Sequence, residues 1–177
     1  MTSRRTVLAT GSTLLAATAG CLGILGNDDE QREELYADIL DTYGDGETAF
    51  DNGMEDFERG EDLFRDESFI DAERYFRDAE RGFDSAVDSF TDVRTLLREL
   101  EELNSVVGDA EDIIDDSWDA AISFSVSAQF HRQAAEMGPD SQFGAQAHFD
   151  AGQQTIREEG YPRTVVSEIE LMSEFIE

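Results

Sequence analysis

The two histidines of this chain fall on either side of one turn. His131 and His148 are nearly equidistant from Gly138-Pro139, so antiparallel helices joined there would carry them at a similar height. A metal ion could bridge them if Glu136 or Asp150 supplied a third ligand. Neither histidine belongs to a Glu-x-x-His or His-x-x-x-His pattern, and a partly buried or surface histidine without a ligand role explains the same residues. No metal site is therefore expected, and His131 with His148 is the only pair to watch. The segment Asp41-Thr42-Tyr43-Gly44-Asp45-Gly46 has the Asp and Gly of a calcium loop at the first, fifth and sixth positions. It fails at the third, Tyr43, and at the twelfth, Asn52, where a bidentate Glu is needed. No phosphate-cradling glycine loop, Gly-x-Ser-x-Gly elbow or His-Glu-x-x-His occurs. Any enzyme built on this chain would draw its acid and base from Asp and Glu, so neither an enzymatic activity nor a cofactor is expected.

Carboxylates are everywhere, which makes any one pair uninformative. Forty-two Asp and Glu stand against thirteen bases, every base is Arg, and the net charge is -29. Phosphate binding needs a basic surface, so no nucleic-acid partner is expected. In dilute buffer such a surface repels itself, whereas at molar salt the Debye length falls to about 3 Å and the repulsion is screened. The acid-rich, lysine-free composition resembles that of proteins from extreme halophiles, the salt-loving archaea above all.

The element that must position everything else runs from Phe69 to Val107. Phe69, Ala72, Phe76, Ala79, Phe83, Ala86, Phe90, Val93, Leu97 and Leu100 recur at steps of three and four, a seven-residue repeat that turns one stripe toward a partner helix. A helix of that length spans roughly 55 Å and needs antiparallel neighbours of similar length. Alternating Phe and Ala lets a neighbour approach where Ala faces it. Tyr36, Leu40, Tyr43, Glu47, Phe50, Met54, Phe57, Glu61 and Phe64 step in the same way ahead of it, with a kink or break expected near Gly44 to Gly46 because glycine weakens a helix by about 1 kcal/mol. Ser68 and Asp71 have the spacing of a capping box. After a break near Asn104 to Gly108, where Asp109 can cap, a third helix is expected with Ala110, Ile114, Trp118, Ala121, Ile122, Val126, Ala128 and Ala135 inward. A fourth is expected from Ser141 to Glu159 with Phe143, Ala147, Ala151 and Ile156 inward. Gly160-Tyr161-Pro162 then breaks the chain before a short amphipathic stretch from Val165 to Ile176. The fold expected is all-α, an elongated antiparallel bundle of four to five helices.

Ser3-Arg4-Arg5 precedes a mildly apolar run that ends at Thr18-Ala19-Gly20-Cys21. Paired arginines, a weakly hydrophobic segment and small residues before a cysteine resemble, in that order, the twin-arginine signal and lipobox of haloarchaeal surface lipoproteins. Thr18 departs from the pattern, which more often has Leu there. The resemblance implies export by way of Arg4 and Arg5, cleavage before Cys21 and a lipid on its sulfur. Residues 6–26 carry no charge, so an uncleaved membrane anchor stays open beside lipidation, as does cleavage with release. Cys21 is the only cysteine and excludes an intramolecular disulfide. Gly60, Leu63, Phe69, Ala72, Phe76 and Ala79 resemble the packing positions of one tetratricopeptide-type hairpin. Asp56 and Asp84 depart from that pattern, and no further copy follows at the repeat interval.

The organisation expected is a signal over residues 1–20, a lipidated cysteine and tether over 21–34, and a helical bundle over 35–177. The expected role is that of a membrane-anchored lipoprotein on the outer face of the cell membrane, acting as an interaction or structural module with a protein partner there. The alternative is an accessory solute- or metal-binding lipoprotein that serves a transporter.

Overall fold

The computed structural model describes residues 28–103, Val107, 110–138 and 140–158. They form an all-α bundle of four helices: α1 (Asp28–Arg65), α2 (Phe69–Glu102), α3 (Ala110–Met137) and α4 (Gln142–Glu158). Among the described residues there is no strand. Helix α2 packs against both α1 and α3, and α4 lies along α3. Every member of the expected α2 stripe from Ala72 to Leu100 is buried.

The partner stripe on α1 is built differently from the one its hydropathy suggests. Its buried residues are Leu35, Ile39, Tyr43, Phe50, Phe57 and Phe64, with Gly46, Gly53 and Gly60 between them. Four aromatic pairs cross the interface: Phe90 on Tyr43 at 5.6 Å, Phe83 on Phe50 at 5.2 Å, Phe76 on Phe57 at 5.7 Å and Phe69 on Phe64 at 5.3 Å. Both members of each pair advance by seven residues, in opposite directions along antiparallel helices. The first three α2 rings also lie over a glycine. A Cβ on Gly46 would stand 2.6 Å from Phe90, one on Gly53 2.9 Å from Phe83 and one on Gly60 2.7 Å from Phe76. Phe69, the fourth, lies instead over Gly138 in the α3–α4 turn. Glycine here makes the hole that each phenyl ring fills, and the packing repays its poor helix propensity. That is why α1 runs unbroken through Gly44 and Gly46, where a break was one expectation. It also removes the calcium-loop reading, since Tyr43 is buried in a continuous helix. Phe124 of α3 closes the stack at 5.5 Å from Phe50 and 5.4 Å from Phe83.

Helix α1 begins at Asp28, so residues 28–34, grouped with the tether in the expected organisation, are helical, with the acids at 28–30 in the first turn. Helix α2 ends at Glu102, short of the Val107 to which its stripe was expected to run. The α1–α2 turn falls at 66–68 as expected, but the Ser68 side chain makes no cap hydrogen bond. The turn is closed from the α1 side: Ser68 N–H donates to Leu63 O at 2.9 Å and Glu67 N–H to Phe64 O at 3.1 Å, with Glu67 at φ 59°. This is the Schellman arrangement, with glutamate where glycine is usual. On α3, Val126 faces outward, while Ser117, Ser123, Ser127 and His131 are buried with the alanines. On α4, Phe143 is 90% exposed and Ala145 takes the buried position. Asp109 and the expected stretch from Val165 to Ile176 lie outside the described residues.

Candidate functional site

His131 is where all four helices meet. Its side chain is completely buried, ringed by Phe149 of α4 at 4.4 Å, Phe57 of α1 at 4.8 Å and Phe76 of α2 at 5.2 Å. The imidazole fits because α4 offers Gly152 at this level, and any Cβ there would collide with Nδ1. Nδ1–H donates to the carbonyl of Ser127, one turn earlier, at 2.8 Å. Nε2 is left as the acceptor for the Gln153 amide at 3.3 Å. The same amide donates to Glu61 of α1, whose carboxylate lies 3.7 Å from Nε2. Ser127 Oγ donates to Gly152 O at 2.9 Å. Each buried polar atom thus has a partner when the ring is neutral and protonated on Nδ1. Burial pushes the His131 pKa down from 6.5 to about 4; the Ser127 hydrogen bond opposes that shift and the Arg65 charge adds to it.

Ser127, His131 and Glu61 have the residue types of a nucleophile, base and orienting acid. The geometry does not perform that chemistry. The Nδ1 proton points at a carbonyl, so this nitrogen cannot accept from Ser127 Oγ, and the hydroxyl is itself buried and committed to Gly152. What the cluster does is fix the register of α4 against α3 and α1, because a one-turn slip would strand several buried polar groups.

The second histidine is at the expected height but on another face. Its ring lies 6.3 Å from Phe130, whereas the ring beside His131 is Phe149. The two side chains therefore sit against each other's sequence neighbours, and no contact joins them. The proposed third ligands are engaged elsewhere: Glu136 pairs with Arg132 at 2.6 Å, and Asp150 accepts from Gln146 at 2.8 Å. Among the described residues no three His, Cys, Asp or Glu side chains converge to hold a metal ion. Arg4, Arg5 and Cys21 lie outside the described residues.

Beside the buried cluster, the end of α1 and the body of α4 enclose an open cleft of about 460 Å³. Phe64, Phe69, Ala145 and Phe149 form its apolar wall, and Arg65, Glu67 and Gln146 its polar one. A neighbouring lobe of about 450 Å³ shares Arg65 and Phe149 and adds Asp150, Gln153, Gln154 and Arg157. Phe64 and Phe149 stack at 4.6 Å with their planes 17° apart, which forms the cleft floor. The chain matches no protein-family model, no curated protein and no solved structure. Function therefore has to be read from the residues alone.

The sequence reading named His131 but not its setting. Ser127 and Gly152 are small residues in helices already rich in small residues. One signal was available: 127, 131 and 134 share a helical face on α3, so a serine and a histidine were bound to enter the core together.

Proposed function

We propose that the protein is an exported lipoprotein, held at the outer face of the cell membrane by a lipid on Cys21, whose helical bundle serves as an interaction or structural module. The reading rests on the order of features between Ser3 and Cys21: paired arginines, an uncharged weakly apolar run, small residues and the lone cysteine. One point is in keeping with it. Helix α1 begins seven residues after Cys21 and has 38 residues, a length of about 57 Å at 1.5 Å per residue, so it would carry the α1–α2 turn well clear of a surface to which Cys21 was attached. Two acyl chains at about 0.8 kcal/mol per buried methylene would hold the chain almost permanently.

Mass spectrometry of the protein from the membrane fraction tests this directly. The expected mass is that of residues 21–177 plus lipid on Cys21, and Cys21→Ser is expected to move the protein into the soluble fraction. A Cys21→Ser protein that stays membrane-bound with residues 1–20 intact would point to an uncleaved anchor instead. Replacing Arg4 and Arg5 together by Lys is expected to stop export.

The accessory solute-binding role draws on the cleft beside Phe64, Arg65 and Phe149 rather than on the histidines. Titration with small aromatic carboxylates, read by the shift in melting temperature, distinguishes it. No shift at millimolar ligand would leave the interaction module alone.

A further inference from the structure

Taking the end that holds the α1–α2 turn as the top, helix α4 covers only the upper half of the side on which it lies. It packs along α3, and its side chains reach across to α1: Phe149 stacks on Phe64, and the Gln153 amide donates to Glu61. It thus lies over the furrow between α1 and α3, two helices that barely touch each other. Gly152 stands level with Ser127, and α4 has six residues left before it ends at Glu158, so it stops about six residues lower on α3, near Ala121. Helix α3 goes on down to Ala110, a further eleven residues or roughly 16 Å. The lining of the furrow continues below that point. On α3, Ser127 faces α4, and Ala120 and Ile113 follow it at seven-residue steps; Ala120 is buried and Ile113 partly so. On α1, Glu61 faces α4, and Met54, Glu47 and Leu40 follow in the same way, with Met54 and Leu40 packed against the core. Among the described residues no helix lies over this lower part.

We propose that the chain's own residues 161–177, which follow α4, occupy the lower furrow between α1 and α3 as an amphipathic helix. Pattern, length and charge select this segment. Val165, Ile169, Met172 and Ile176 share one face at steps of four, three and four, while Glu170, Glu174 and Glu177 fall on the opposite one. From Val165 to Ile176 is twelve residues, about 18 Å as a helix, which matches the length of furrow that α4 leaves. Arg163, the one base after Arg157, is eleven residues past Gly152, and Asp116 is eleven before Ser127, so base and acid arrive at about one level. Covalent continuity favours this occupant over any other molecule. Only Glu159-Gly160 stands between α4 and the segment, so closing the link costs little entropy, and the effective concentration at the furrow is on the order of millimolar. A partner that approaches this side of the bundle then meets the acidic face of the segment instead of the furrow. None of this depends on how the chain is anchored.

Cysteine pairs in the full chain test this, in a Cys21→Ser background that leaves no other cysteine. Ile113→Cys is combined in turn with a cysteine replacing each of residues 165–169, and Leu40→Cys with one replacing each of residues 172–176. Mild oxidation is carried out at about 2 M KCl, where charge is screened. Val165→Cys and Ile169→Cys are expected to link to the α3 wall, and Met172→Cys and Ile176→Cys to the α1 wall. Each link should form within one chain, at least fivefold more than with Ser167→Cys or Glu174→Cys. A flat profile along the segment overturns the proposal. So does linkage only at the mass of two chains, which would put a second copy's segment in the furrow. Stability supplies a readout that needs no cysteine. Leu40→Ala is expected to lower the melting temperature of the full chain, and to lower it less than half as far when Met172→Glu is already present, because the contact is then gone. Equal losses in the two backgrounds overturn the proposal as well.

Discussion

His131 is buried in a ring of phenyl groups that solvate a cation far less well than water does, and the carbonyl and amide that hydrogen-bond it satisfy the neutral ring, while the Glu61 carboxylate stands off at 3.7 Å. Its pKa is about 4 in the folded chain and about 6.5 in the unfolded one, so between those values the unfolded state binds the proton that the folded state refuses. The stabilising effect of a neutral His131 is therefore whole above pH 6.5, falls as pH drops, and is exhausted near pH 4, at about 1.4 kcal/mol per unit. Carboxylates titrate in the lower part of that window, so the quantity to measure is a difference. The urea stability of the wild type minus that of His131→Gln is expected to shrink steadily from pH 6.5 to 4.5. A constant difference would mean that the imidazole charges without cost. The glycine opposite supplies a second test: Gly152→Ala gains helix propensity of about 1 kcal/mol yet forces a Cβ into Nδ1, and overpacking of that kind costs about 1–3 kcal/mol. A net loss in urea unfolding is expected. At Glu67 the expected sign is opposite. Its φ of 59° penalises a side chain by about 1 kcal/mol, so Glu67→Gly should raise the melting temperature by several degrees.

At the scale of elements, the α1–α2 hairpin is a set of rings dropped into glycine holes, and the cost of filling a hole depends on what forms its floor. At Gly46 an added methyl meets the edge of the Phe90 ring, which can tilt; at Gly82 it meets the backbone of Gly53 at 2.8 Å, which cannot. Gly82→Ala is therefore expected to destabilise by more than Gly46→Ala, each measured by chemical unfolding. Equal losses, or a gain at Gly82, would show that the helices can separate at no cost. The same holes explain what could be read from the sequence. Helix α2 was legible because each inward position from Ala72 to Leu100 carries an apolar side chain. A third of the α1 contact line is glycine, which gives no hydropathy signal, so its neighbours Tyr36, Leu40 and Met54 looked like part of it while they only flank the core. The break expected at Gly44 to Gly46 came from treating glycines singly instead of matching the seven-residue spacing of Gly46, Gly53 and Gly60 to that of Phe90, Phe83 and Phe76. Phe143 was placed inward for a related reason: α4 has so few charged residues that its sequence offers no solvent face for contrast. The buried His131 cluster could not be read because it depends on which residues of α1 and α4 reach the same level of α3.

Over the whole molecule, the core and the coat pull in opposite directions. The aromatic ladder draws the helices together at every seventh residue, while the excess of acids over bases in a chain of net charge -29 drives them apart. The ion pairs that the arginines make are mostly exposed and one turn apart, as in Arg65 with Glu61 and Asp62 or Arg81 with Asp78. Such pairs contribute only about 0.3–0.5 kcal/mol each, too little to offset repulsion among the acids that outnumber the bases. Salt acts on the repulsion itself. Raising KCl from about 0.1 M to about 1 M shortens the Debye length from about 10 Å to about 3 Å, less than the spacing between carboxylates on neighbouring helices, and leaves the apolar contacts intact or strengthened. The melting temperature is therefore expected to rise by ten degrees or more over that range and to go on rising more slowly beyond it. Sodium and potassium chloride should behave alike, because screening depends on ionic strength and not on a bound ion. If the melting temperature stays flat from 0.1 to 1 M, or only one cation raises it, the acid coat is no net source of strain.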